Sequence, residues 1–162
     1  MTIIIKSMET PEEIEGKSLV HWQTWREAYD DFLPAEFQET MTLERCRFFS
    51  QKYPENTLIA IDGVKVIGFI SYGNFRDETI QAGEIIALYV LKDYYGKGIA
   101  QKLVKAALTT LDHFFAIFLW VLKDNNRAIA FYQKIGFTFD GQEKILELGK
   151  PMKEKRMVFY SK

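Results

Sequence analysis

The densest set of residues able to do chemistry lies around two glycines. Glu84-Ile85-Ile86-Ala87-Leu88-Tyr89-Val90-Leu91 is a nearly continuous apolar run, the pattern of a strand buried on both faces. It leads through Lys92-Asp93-Tyr94 into Tyr95-Gly96-Lys97-Gly98-Ile99-Ala100. Helical periodicity begins at once, with Ile99, Leu103, Val104, Ala107, Leu108 and Leu111 on one stripe. The first N–H groups of a helix have no intrahelical acceptor, and the helix dipole favours negative charge beside them. Gly96 and Gly98 let phosphates approach the backbone with no Cβ in the way. The segment therefore reads as a pyrophosphate cradle, to which Lys97 either adds charge or turns its side chain to solvent. A Walker pattern is absent, and a dinucleotide fingerprint would need glycine or alanine where Gln101 stands.

A second set, Asn125-Asn126-Arg127-Ala128-Ile129-Ala130-Phe131-Tyr132-Gln133-Lys134-Ile135-Gly136-Phe137, follows a strand by a short turn. Together the two segments resemble the GNAT superfamily of N-acetyltransferases. Its cofactor motif, Arg/Gln-x-x-Gly-x-Gly/Ala, falls on Tyr95-Gly96-Lys97-Gly98-Ile99-Ala100. Its later signature is matched at Asn125, Ala128, Phe131, Tyr132, Lys134, Gly136 and Phe137. The departure is Tyr95, which stands where the family carries Arg or Gln. The backbone donors from Gly96 through Ala100 survive that change.

The resemblance implies acetyl-CoA as cosubstrate. Its pantetheine arm would lie along Leu88-Tyr89-Val90, in a cleft where two parallel strands splay apart, facing Leu119–Val121. A backbone N–H near Val90 would polarise the thioester carbonyl. Asn125 would hydrogen-bond the cofactor and Lys134 would reach it. An alkylamine has a pKa of about 10.4 and must lose a proton before it attacks, while the departing thiolate, with a pKa near about 8.5, can take one from a phenol. Tyr132 occupies the family's general-acid position. Glu84, at the start of the splayed strand, is the candidate base, with a water relay as the alternative. The run Trp25-Arg26-Glu27-Ala28-Tyr29 with Leu33-Pro34 resembles the acceptor-side helices of small bacterial members, including polyamine acetyltransferases. Tyr29 and Phe32 are thus candidates to line the acceptor site, with Glu27, Asp30 or Asp31 drawing in a cation. The expected reaction is direct attack by a primary amine of a small molecule in a ternary complex. A protein or peptide acceptor, or a noncatalytic acyl-CoA-binding module, is the alternative.

The elements that must position these residues follow from periodicity. Ile3–Ile5 reads as a strand. Thr10-Pro11 opens a helix carrying Ile14, Leu19, Trp22, Trp25 and Tyr29, which Leu33-Pro34 ends. Phe37–Tyr53 reads as helix again. Thr57–Ile61 and Val64–Tyr72 form a hairpin around Asp62-Gly63. Phe115–Leu122 is a strand, Asn125–Ile135 a helix, and Phe137–Leu148 and Lys155–Tyr160 close the sheet. The expected fold class is α/β: a mixed, mostly antiparallel twisted sheet with helices on both faces and a V-shaped splay between two central parallel strands, in a single domain over 1–162.

Composition narrows the function. The chain of 162 residues is 48% hydrophobic and 15% aromatic, which excludes intrinsic disorder. With 21 basic and 22 acidic side chains, nothing attracts nucleic acid or anionic lipid in general. No run reaches the roughly 20 apolar residues of a membrane span, and no leader pattern precedes the acidic stretch Glu9–Glu15, so a cytoplasmic location is expected. Cys46 is alone and reads as a core thiol. His21 and His113 have no metal-ligand spacing, so no metal is expected. Lys153–Arg156 reads as protection of a sheet edge. The resemblance also implies a homodimer as a partner arrangement, since dimers are common in that family.

Overall fold

The computed structural model describes residues 2–161. Thirteen segments follow in order: β1 (Ile3–Ser7), α1 (Pro11–Tyr29), α2 (Ala35–Gln38), α3 (Leu43–Lys52), β2 (Thr57–Asp62), β3 (Lys65–Asn74), β4 (Gly83–Val90), a 3-10 turn (Lys92–Tyr94), α4 (Ile99–Thr110), β5 (Ala116–Leu122), α5 (Asn126–Ile135), β6 (Thr138–Glu147) and β7 (Pro151–Tyr160). The seven strands form one sheet in the order β1-β2-β3-β4-β5-β7-β6. Every neighbouring pair is antiparallel except β4 and β5. The mixed, mostly antiparallel sheet read from the sequence is what forms.

Local chemistry sets the boundaries. Thr10 Oγ1 accepts the Glu13 N–H at 3.1 Å while a Glu13 carboxylate oxygen accepts the Thr10 N–H at 3.0 Å, a reciprocal cap that starts α1 with Pro11 in its first turn. The expected helix over 37–53 is two pieces. Thr42 caps α3 by accepting the Arg45 N–H at 3.1 Å, so the chain turns between Gln38 and Thr42. Gln38 is buried there and its side-chain amide donates to the carbonyls of Tyr29 and Leu33 at 3.2 and 3.0 Å. That amide fastens the corner from which Tyr29 and Phe32 project. The Asp62-Gly63 hairpin forms, with Asp62 opposite Lys65 and Gly63 at φ 65°.

The helices cover both faces of the sheet. Phe69 of β3 packs under α1, where Lys17 lies over its ring and His21 meets it edge-on. A Cβ on its neighbour Gly68 would come 3.5 Å from Leu103 of α4. Successive strand residues point to opposite faces, so α1 and α4 lie on opposite sides. The main core joins Ile67, Phe69 and Ile70 to Leu103, Val104, Leu119 and Met157. A smaller cluster of Phe75, Ala82, Ala116, Phe118 and Val158 closes the other end.

Two expectations change. Strand β4 is buried on both faces only at its start: Ile86 is 43% exposed and Ala87–Tyr89 are half-buried, because β5 has already diverged from them. Strand β7, which carries Lys153–Arg156, is not an edge but lies between β5 and β6. Its charges face partners across the sheet, with Lys153 Nζ 3.3 Å from Glu143 and Arg156 Nε 2.6 Å from Asp140.

Candidate active site

The cleft originates in the only parallel pairing among the described residues, that of β4 with β5. β4 and β5 are in register solely at Gly83↔Ile117 and Glu84↔Phe118 and then separate. A bulge helps: Ser71 of β3 faces Ala87 and Tyr72 faces Ile85, leaving Ile86 unmatched. Past that point no strand among the described residues pairs with β4 on its β5 side. The opening is a cleft of about 880 Å³. Its walls are Ile85–Val90 of β4 and Leu119–Leu122 of β5, with α1, the glycine turn and α5 around them.

The glycine turn forms as expected. Gly96 and Gly98 sit at φ 78° and 76°, the left-handed region that side chains disfavour. Gly98 occupies the N-cap of α4 without a side-chain cap. From Gly96 to Gln101 no backbone N–H has an acceptor among the described residues. A Cβ on either glycine would meet nothing within 4 Å, so the space above those donors is open. Tyr95, Gly96, Gly98, Ile99 and Ala100 line the cleft, whereas Lys97 is exposed and outside its wall. Tyr95 carries a cation after all: the Arg127 guanidinium lies 4.0 Å from its ring centroid. Arg127, in the first turn of α5, also lines the cleft. The sequence reading missed it, although a cation two residues after Asn125 was its visible signal.

Leu88, Tyr89, Val90, Asn125, Tyr132 and Lys134 are brought together on the same cleft. Asn125 already caps α5, its side-chain oxygen accepting the Ala128 N–H at 3.2 Å, so its amide nitrogen is what remains for a ligand. Tyr132 packs edge-on to Phe137, and its hydroxyl has no hydrogen-bond partner among the described residues. Burial raises the Tyr132 phenol well above its usual range, so it stays protonated at neutral pH.

On the α1 side, Tyr29 and Phe32 line the cleft, and the Tyr29 and Tyr89 hydroxyls lie 3.3 Å apart. His21 stacks on Tyr89 from behind; burial, aided by Lys17 and Arg45, lowers its pKa to about 4 and keeps it neutral. Glu27 and Asp31 stand in the wall, with Glu27 accepting the Lys92 N–H at 3.3 Å.

Glu84 is not part of this assembly. It is 1% exposed and held by Arg76 through contacts of 2.6 to 3.2 Å that include the Arg76 backbone N–H. It lines a separate depression with Arg76, Lys144 and Arg156. Starting the splayed strand does not aim a side chain into the splay, because the strands are still paired at Glu84. A carboxylate that does line the cleft is Glu154 of β7, which the sequence reading had absorbed into a charged edge.

A profile of the acetyltransferase (GNAT) family matches residues 22–137. N-alpha-acetyltransferase 30 of Schizosaccharomyces pombe is 35% identical over 94 residues, 56% of this chain and 63% of that protein. A probable spermine N(1)-acetyltransferase of Bacillus subtilis subsp. natto is 33% identical over 84 residues, 48% of this chain and 55% of that protein. The chain thus spans between half and two thirds of these relatives' length. The crystal structure of a PaiA N-acetyltransferase from Thermoplasma acidophilum in complex with coenzyme A superposes with a TM-score of 0.78 at 20% identity, covering 99% of each chain. With the profile running from α1 through α5 and the open glycine turn beneath it, the chain belongs to the acetyltransferase (GNAT) family.

Proposed function

We propose that this protein transfers an acetyl group from acetyl-CoA, the acetyl donor of its family, to the primary amine of a cationic small molecule. When bound, acetyl-CoA supplies an activated acyl carbon and a sulfur leaving group. The observation that carries the reading is the cleft itself: main chain from Ile86 to Val90 left open on its β5 side, open N–H donors from Gly96 to Gln101, and a protonated Tyr132 without a partner among the described residues, all on one surface.

Gly96–Gln101 would hold the diphosphate through main-chain hydrogen bonds, and Arg127 would add the charge that Tyr95 lacks. The free edge of β4 would pair with the amides of the pantetheine arm, and a β4 N–H near Val90 would polarise the thioester carbonyl. Tyr132 would hand a proton to sulfur. Support for a cationic acceptor comes from Glu27, Asp31 and Glu154 in the cleft wall beside Tyr29 and Phe32, and from the polyamine relative. Among the described residues lining the cleft no cysteine or serine stands beside a base, which supports direct attack in a ternary complex.

Similarity to a protein N-alpha-acetyltransferase favours a second reading, a polypeptide amine as acceptor. Release of free thiol from acetyl-CoA, measured across spermine, spermidine, aminoglycosides, amino acids and peptides, separates the two. Turnover confined to small polyamines supports the first reading. Turnover confined to peptides supports the second, and binding of coenzyme A without thiol release from any amine contradicts both.

A further inference from the structure

We propose that Glu154 receives the proton of the attacking amine. Its place follows from register. Glu154 lies opposite Leu122 of β5 and Lys144 of β6, and alternation along β7 puts it on the same face as Arg156 and Val158. Val158 lies opposite Phe118, Phe118 opposite Glu84 and Glu84 opposite Gly73, and Gly73 shares a face of β3 with Phe69, which packs under α1. Glu154 therefore points to the face that carries α1, and it lines the cleft that Tyr29 and Tyr89 also line.

The other carboxylates on this side are less available. Glu27 accepts from the Lys92 N–H and from Gln23, Asp31 is exposed, and Glu84 is spent on Arg76. The side chain of Glu154 is only 15% exposed, and its nearest cation, Lys144, is 3.8 Å away. The charged and titratable groups around it are Lys144 from β6, Arg76 from the loop after β3, Glu84 and Tyr89 from β4, and Tyr29 from α1. Burial outweighs Lys144 and Arg76 and holds the Glu154 carboxyl above the usual carboxylate range, nearer to the pH at which a base is needed.

The protons balance as follows. Glu154 takes one proton from the ammonium and leaves a neutral amine. As the N–C bond forms and the C–S bond breaks, Tyr132 gives its proton to sulfur. The second proton lost from nitrogen restores the Tyr132 phenol, and Glu154 returns its own to solvent, so one proton is released per turnover.

This inference rests on acetyl transfer as proposed above, and two kinds of measurement keep them apart. The first is the pH dependence of kcat/KM with spermine and with a lysine-containing peptide, for the wild type, Glu154→Gln and Lys144→Met. Rate should fall as pH drops through the raised Glu154 titration. Glu154→Gln should lose about a hundredfold at neutral pH, within the range of a general base, and lose that limb of the profile. Lys144→Met, which removes a neighbouring positive charge, should move the limb to higher pH. Affinity for coenzyme A should stay within twofold for both. The second is infrared difference titration of the full chain with and without coenzyme A, in which a carboxyl titrating above the usual range should vanish in Glu154→Gln and shift upward in Lys144→Met. A wild-type acid limb in Glu154→Gln, or no such carboxyl assigned to Glu154, overturns the inference. A wild-type protein that releases no thiol with either amine contradicts acetyl transfer and takes the role of Glu154 with it, whereas thiol release by the wild type with an unaltered acid limb in Glu154→Gln overturns the inference alone.

Discussion

The two sides of the cleft are built in different ways. The side expected to hold the donor, formed by the glycine turn and α5, consists of main-chain N–H groups in one short segment and of side chains a few residues apart on a helix. The side proposed for the acceptor draws Tyr29 from α1, Phe32 from the following corner, Tyr89 from β4 and Glu154 from β7, so its parts come from opposite ends of the chain. A site made of backbone tolerates drift in the surrounding sequence. A site made of distant side chains changes with each substitution, which makes the acceptor side the natural place for substrate choice to vary.

Substitutions should separate these contributions. The largest effect belongs to Tyr132: replacement by Phe should cut kcat by about two to three orders of magnitude while coenzyme A affinity, read by calorimetry, changes little. An unchanged kcat removes Tyr132 from proton delivery. Next is Arg76→Ala, which strands the buried Glu84 carboxylate. It should cost about 2–4 kcal/mol of stability, read by urea denaturation, with coenzyme A affinity unchanged, because this pair supports the sheet rather than the cleft. Gly98→Val forces a β-branched residue to φ 76° and should weaken coenzyme A about tenfold, in line with roughly 1–2 kcal/mol of left-handed strain. Wild-type affinity there argues against the cradle. The smallest effect is Arg127→Ala, which should weaken coenzyme A a few-fold and flatten its dependence on salt, as loss of one exposed charge contact does.

The contrast also explains what was legible beforehand. The order of the strands, the Asp62-Gly63 hairpin, the Thr10 cap and the glycine turn all rest on interactions within a few residues, and each forms as read. The break that separates α2 from α3 turns on Thr42, whose capping role was hidden inside an apolar pattern that suited one longer helix. Glu84 and Glu154 exchange places for a different reason. Which carboxylate faces the cleft depends on where β4 and β5 part and on β7 inserting between β5 and β6, and no local spacing encodes either. Arg127 was obscured for a simpler reason: its stacking on Tyr95 links two segments that a motif treats separately.

The most direct test of the central claim is a titration of 15N-labelled protein with coenzyme A, followed by amide chemical shifts. The largest shifts should fall on Gly96–Gln101 and on Ile86–Val90, with the Arg76 and Glu84 region undisturbed. Shifts centred instead on the depression formed by Arg76, Lys144 and Arg156, or no saturable shifts, would contradict the account.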